Sequence, residues 1–193
     1  KKVISGYEDL TFQPNKPINR LETVVMLVRL IGAEDEAKKA KTIPAVFKNS
    51  RQIPDWAKGY VAVAVNKGIL TDSDLQDFRP NQAAKRYEIA VLSIRALGLA
   101  GLAQQQSWQN QLYVDAADVP AWARGYVVLI GKKNVMKGYP DRSFQPNKPI
   151  TRAEMASLME RMESLLKNQF DAEEVKGTLI DVDVQADEIT VKK

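Results

Sequence analysis

The chain has 193 residues, of which 45% are hydrophobic and 27% charged, an ordinary balance for a globular protein with length enough for a real core. It has no cysteine and no histidine, which excludes disulfides, thiolate chemistry and the commonest general base and metal ligand. A formal charge of +4 favours an anionic partner without naming one, and no apolar run approaches the roughly 18 residues of a membrane span.

Arg20, Arg86 and Arg152 stand 66 residues apart, each two positions before a glutamate. The segment 6–22 returns at 138–154 with 12 of 17 positions identical, so the chain is a tandem repeat. Residues 1–40 form the first copy, which lacks its opening helix. Its turn carries Phe12, and Asn19 with Glu22 predicts a capped helix running through Val24 and Val28. The stretch 33–41 reads as a polar connector.

Residues 41–106 form the second copy. A helix is predicted from Pro54, because proline suits a first turn, and it continues through the apolar run 60–65. A loop with Gly68 and Phe78 follows. The next helix starts at Arg86, where Lys85 in place of a capping side chain should cost about 1 kcal/mol. The stretch 99–111, with three consecutive glutamines, reads as a flexible connector. Residues 107–168 form the third copy, with a helix from Pro120, a loop with Gly138 and Phe144, and a capping box of Thr151 and Glu154. In 169–193 the apolar residues alternate with period two, which predicts a β-hairpin turning near Ala186-Asp187 and opening a further β-rich segment.

The third copy contains Tyr113-Val114-Asp115, Trp122-Ala123, Gly138-Tyr139-Pro140-Asp141, Phe144-Gln145-Pro146 and Ile150-Thr151-Arg152-Ala153-Glu154. In type and order these motifs resemble the S-layer homology (SLH) family over roughly residues 1–166. The resemblance implies a mostly α fold, a pseudo-threefold bundle of helix-loop-helix repeats. It also implies an extracellular, non-catalytic anchor in the cell wall or S-layer of a bacterium. The implied partner is a secondary cell-wall polysaccharide bearing pyruvate ketals on N-acetylmannosamine, bound in grooves between repeats with the motif arginine facing the carboxylate. Neither nucleic acid nor membrane insertion is expected, no cofactor or metal is implied, and self-assembly would rest on downstream domains. The candidate ligand-binding residues are Arg20, Arg86, Arg152, Trp56, Trp122, Asp115, Asn49, Gly138, Tyr139 and Asp141.

The chain also departs from the family pattern. Asn49 replaces the motif aspartate of the second copy, Lys85-Arg86-Tyr87-Glu88 replaces Thr-Arg-Ala-Glu, and Thr71-Asp72-Ser73-Asp74 replaces Gly-Tyr-Pro-Asp. Arg142 stands where glycine is usual.

A ketal carboxylate suits guanidinium, a planar and permanently charged fork. Unpaired N–H groups at the helix start are expected to add to the attraction. From spacing alone, an arginine at a helix start is a surface ion-pair residue, and the threefold recurrence together with the family resemblance moves the reading to ligand binding. Trp56 and Trp122 are either core residues or groove walls that stack on a sugar ring. Glu22 and Glu154 read as caps. Asp72, Asp74 and Asp77 do not make a calcium loop, since Asp77 and Ala83 occupy the places of its glycine and its glutamate. Two other functions stay in view: a helical scaffold for protein–protein interaction, and the anchor part of a cell-surface glycan-degrading enzyme.

Overall fold

The long helices begin where the repeated arginines stand. In the computed structural model, which describes residues 4, 6, 9–40, 42–43, 47, 50–106, 113–173, 178–183 and 188–192, these are α1 (Arg20–Leu30), α5 (Arg86–Ala96) and α8 (Arg152–Glu173). Asn19 and Glu22 cap each other's backbone N–H groups at 2.7 and 2.9 Å, and Thr151 and Glu154 do so at 3.3 and 2.8 Å. At α5 half of that exchange survives. Glu88 accepts from the Lys85 N–H at 3.0 Å, but an ammonium has no lone pair to return.

The apolar runs after Pro54 and Pro120 are helices, as expected. α3 (Asp55–Asn66) follows Pro54 directly, and α7 (Arg124–Lys132) follows a short 3₁₀ turn, Ala121–Ala123. Each packs on the long helix of the preceding copy, α3 on α1 and α7 on α5, with Val61, Val63, Val127 and Ile130 fully buried.

The expectation of loose connectors is corrected. Residues 33–41 hold α2 (Glu34–Lys39) and 99–111 hold α6 (Ala100–Gln104), while 107–112 lie outside the described residues. Both short helices dock on a glycine. A Cβ on Gly59 would lie 1.8 Å from the Ala37 carbonyl oxygen, and one on Gly125 would lie 2.0 Å from that of Ala103. The composition reads as linker because the contact is made by backbone, and backbone leaves no hydrophobic stripe in the sequence.

The strongest link between copies is a ring of main-chain hydrogen bonds. Ile18 donates its N–H to the carbonyl of Ile150 (2.9 Å), Ile150 to Ala84 (3.3 Å), and Ala84 to Ile18 (2.9 Å). All three residues are buried, so each bond is shielded from water. The same segments satisfy the first N–H groups of the long helices. Arg20 and Leu21 donate to Gln82 and Pro80, Arg86 and Tyr87 to Lys148 and Pro146, and Arg152 and Ala153 to Lys16 and Pro14, all within 3.1 Å. The donors left over at a helix start are thereby used up by the neighbouring copy.

Phe78 and Phe144 anchor their turns, buried against Phe47 and Tyr113 at 5.5 and 5.1 Å between ring centres. Phe12 is 40% exposed. Leu10 and Arg142 occupy matching left-handed positions (φ 61° and 65°), the conformation that explains why glycine is usual at the second of these. In the middle copy the loop is rebuilt as α4 (Asp72–Gln76), started by a capping box of Thr71 and Asp74.

The chain divides into two compact units, Lys1–Met162 and Glu163–Lys193. In the second unit, strands β1 (Thr178–Asp183) and β2 (Glu188–Lys192) pair antiparallel, with an irregularity in register between Leu179 and Asp181. The expected turn at Ala186-Asp187 lies outside the described residues.

Candidate functional site

Two clefts open where the loop of one copy meets the long helix of another. The first, of about 260 Å³, is lined by Arg20 of the first copy, by Asp74, Asp77, Tyr87 and Glu88 of the second, and by Trp122 of the third. The second, of about 280 Å³, is lined by Arg86, Lys137, Tyr139, Glu154, Leu158 and Arg161, among others.

Arg20 and Arg86 line these clefts and Arg152 lines neither; all three are the first residues of their helices, but their guanidinium groups are engaged differently. Arg20 grips Glu88 through Nε and Nη2, forming an ion pair with both side chains mostly shielded from solvent. Arg86 donates from Nε to the Phe144 carbonyl (2.8 Å) and from Nη2 to the Lys137 carbonyl (3.0 Å). Its charge lies over the rings of Tyr139 (4.9 Å) and Phe144 (5.0 Å). Arg152, 3% exposed, donates to the Phe12 carbonyl (2.8 Å), lies over the Phe12 ring (5.1 Å) and faces Glu22 at 3.8 Å. Glu22, read as a cap, therefore also faces an arginine of another copy.

One expectation is overturned. At α1 and α8 the first N–H groups do not await an anion, because neighbouring carbonyls and the caps already accept from them, and at α5 neighbouring carbonyls accept from Arg86 and Tyr87 while Lys85 offers the Glu88 N–H no side-chain acceptor. An anion bound here is therefore held chiefly by side chains.

Trp56 and Trp122 stand outside the core, 62% and 58% exposed, each edge-on to a tyrosine at 6.3 Å (Tyr60 and Tyr87). Trp122 shares a cleft with Arg20, and Tyr139 shares the other with Arg86. Asp115 and Asp141 face the backbone. Asp115 accepts from the N–H groups of Phe144 (2.8 Å) and Gln145 (2.7 Å) and so pins the turn that carries Arg86's acceptor. Asp141 accepts from the hydroxyl and N–H of Ser143, which hold its carboxyl below the ordinary 3.8. Gly138 makes room for Tyr113, whose ring a Cβ would meet at 2.5 Å. Asn49 lies outside the described residues.

Sequence reasoning missed a second arginine series. Arg29, Arg95 and Arg161 recur at the same 66-residue interval, nine residues after the first series. Arg95 donates to Asp74 (2.6 Å) and to the Ile69 carbonyl (3.3 Å), while Arg161 donates to the matching Val135 carbonyl (3.0 Å) and borders the second cleft. It also missed Lys148, whose Nζ is 3.2 Å from the Tyr139 hydroxyl and 4.7 Å from its ring centre. The recurrence was available in the sequence, but the tie to a loop carbonyl was not.

Among the described residues no group of three or more acidic, histidine or cysteine side chains could hold a metal ion, and no helix is long and apolar enough to cross a membrane.

The family profile described as S-layer homology domain matches residues 1–24, 47–90 and 112–156, more than half of the chain. Over 82% of its length the chain is 28% identical to a cellulosome-anchoring protein of Acetivibrio thermocellus, covering 34% of that protein. Over the same share it is 26% identical to an amylopullulanase of Thermoanaerobacterium thermosulfurigenes and 27% identical to a surface-layer 125 kDa protein of Lysinibacillus sphaericus, covering 8% and 13% of them. The chain thus spans only a minor part of the curated relatives it matches. It belongs to the S-layer homology family, whose domain is a non-catalytic anchoring module of extracellular, wall-associated proteins.

Proposed function

We propose that this chain tethers an S-layer or other surface protein by binding an anionic, pyruvylated secondary cell-wall polysaccharide in the clefts between its repeats. The observation that carries the reading is the charge of the second cleft, where Arg86, Lys137 and Arg161 face a single carboxylate, Glu154. Arg86 is preorganised, since two carbonyls and two aromatic rings fix its fork before any ligand arrives. A ketal carboxylate on a pyranose would gain roughly 1.5–3 kcal/mol from each charge-assisted hydrogen bond. One such site holds weakly. Several clefts on a repeating polymer act at high effective concentration.

The ring through Ile18, Ala84 and Ile150 supports a pseudo-threefold bundle of repeats bounded at 1–40, 41–106 and 107–168. The relatives named as an amylopullulanase and an exoglucanase favour a second reading, in which the anchored payload is a glycan-degrading enzyme. Anchoring is the same in either case. The test is cosedimentation of the chain with wall preparations that carry the polymer, for the native protein, Arg86→Lys and Lys148→Ala. The reading expects binding that weakens in both variants and with added salt. Equal retention of all three proteins at every salt concentration would contradict it.

A further inference from the structure

The two clefts are built on the same repeat but differ in their electrostatics. In the second, two arginines and a lysine face one carboxylate. In the first, one arginine faces three: Asp74, Asp77 and Glu88. That arginine is already committed, since Arg20 holds Glu88 through two of its nitrogens. Asp74 pairs with Arg95 at 2.6 Å, and Asp77, 75% exposed, pairs with Arg79 at 3.1 Å, so each carboxylate there holds an arginine and no cation of the lining is left over. The difference follows from α4, whose helical turn replaces the Gly-Tyr-Pro-Asp loop and brings two aspartates to the wall.

The first cleft also has what the second lacks among its described lining, a broad indole face. Trp122 is 58% exposed and stands edge-on to Tyr87. A flat aromatic surface beside carboxylate acceptors suits a pyranose whose axial C–H groups lie on the ring and whose hydroxyls donate outward. It does not suit a carboxylate, which would find no uncommitted cation among the residues lining the cleft.

We infer that the first cleft takes an uncharged pyranose of the wall polymer, stacked on Trp122, while the second takes the ketal-bearing sugar. This rests on the glycan-anchoring reading above and divides its two clefts by ligand charge. A polymer alternating neutral and acidic sugars would be read in register, each cleft selecting one kind of unit.

The experiment is calorimetric titration of the whole chain with two probes, the methyl glycoside of N-acetylmannosamine and the same glycoside carrying a 4,6-pyruvate ketal. The variants are Trp122→Ala and Lys148→Ala, both at exposed side chains, with the thermal midpoint recorded as a fold control. Trp122→Ala is expected to weaken the uncharged probe by about tenfold or more, as removal of an aromatic anchor does. It should leave the ketal probe unchanged. Lys148→Ala should do the reverse, and only the ketal probe should respond to salt. If the ketal probe binds while the uncharged probe is indifferent to Trp122 or does not bind, the division of clefts is overturned and anchoring stands. If neither probe binds the native chain, both fall together.

Discussion

Arg20 and Glu88, 68 residues apart in the chain, form an ion pair whose carboxylate simultaneously caps the backbone of Lys85. One glutamate therefore starts its own helix and fastens the arginine of another copy. Removing it leaves a mostly shielded guanidinium without its charge partner and a helix start without its only side-chain cap. Glu88→Ala is expected to lower stability by about 2 kcal/mol, the scale of charge-assisted hydrogen bonds. A urea midpoint unchanged from the native protein would contradict this.

The glycine contacts beneath α3 and α7 make a sharper pair of expectations. Gly125→Ala forces a methyl group into the Ala103 carbonyl and should destabilise by roughly 1–3 kcal/mol. Gly101→Ala, on α6 with open space around its Cα, should stabilise by about 0.5–1 kcal/mol through helix propensity. Thermal midpoints of the two variants should move in opposite directions.

Asp115 supplies the two acceptors that hold the Phe144–Gln145 backbone. Asp115→Ala should cost about 1–3 kcal/mol by leaving those N–H groups unpaired. Because the Phe144 carbonyl in turn holds Arg86, the variant should also weaken polymer binding at a temperature where it remains folded. Native affinity in a measurably destabilised Asp115→Ala protein would show that the turn does not position the arginine.

Acid should weaken the fold modestly through a few identified carboxylates. The Tyr60 hydroxyl donates to Glu34 at 2.8 Å and, with Arg29 and Lys38 nearby, holds its carboxyl below the ordinary 4.5. Thr11 and Ser143 hold Asp9 and Asp141 below 3.8 by the same kind of bond. A carboxylate depressed in the folded state contributes stability that is complete above its ordinary value and is lost as pH falls through the lower one. Urea midpoints should therefore stay level near neutrality and drop below about pH 4, the ordinary carboxylate range. Glu34→Gln should make that drop shallower, and an identical acid profile would remove Glu34 from the account.

Much of the fold was legible because its signals are local. The caps at Asn19 and Thr151, the prolines before α3 and α7, and the period itself lie within a few residues of what they specify. What escaped is carried between copies. The ring through Ile18, Ala84 and Ile150 is made of main chain, so no side-chain pattern announces it. The same bonds consume the helix-start N–H groups that the sequence suggested were open to an anion. At the clefts, the arginines and tryptophans were identifiable from recurrence, and the structure resolves Trp122 as a wall and not core. The different charge balance of the two clefts was not legible, because it depends on which copy's loop faces which copy's arginine.

Anchoring rests on the side chains of the second cleft holding the acidic groups of a wall polysaccharide. Its most direct test is calorimetric titration of the chain with purified, pyruvylated wall polymer before and after mild acid hydrolysis of the ketals. The account expects affinity to fall by about tenfold or more once the carboxylates are gone, on the scale of one lost charge-assisted contact per bound unit. Equal affinity for the intact and the de-ketalised polymer would contradict it.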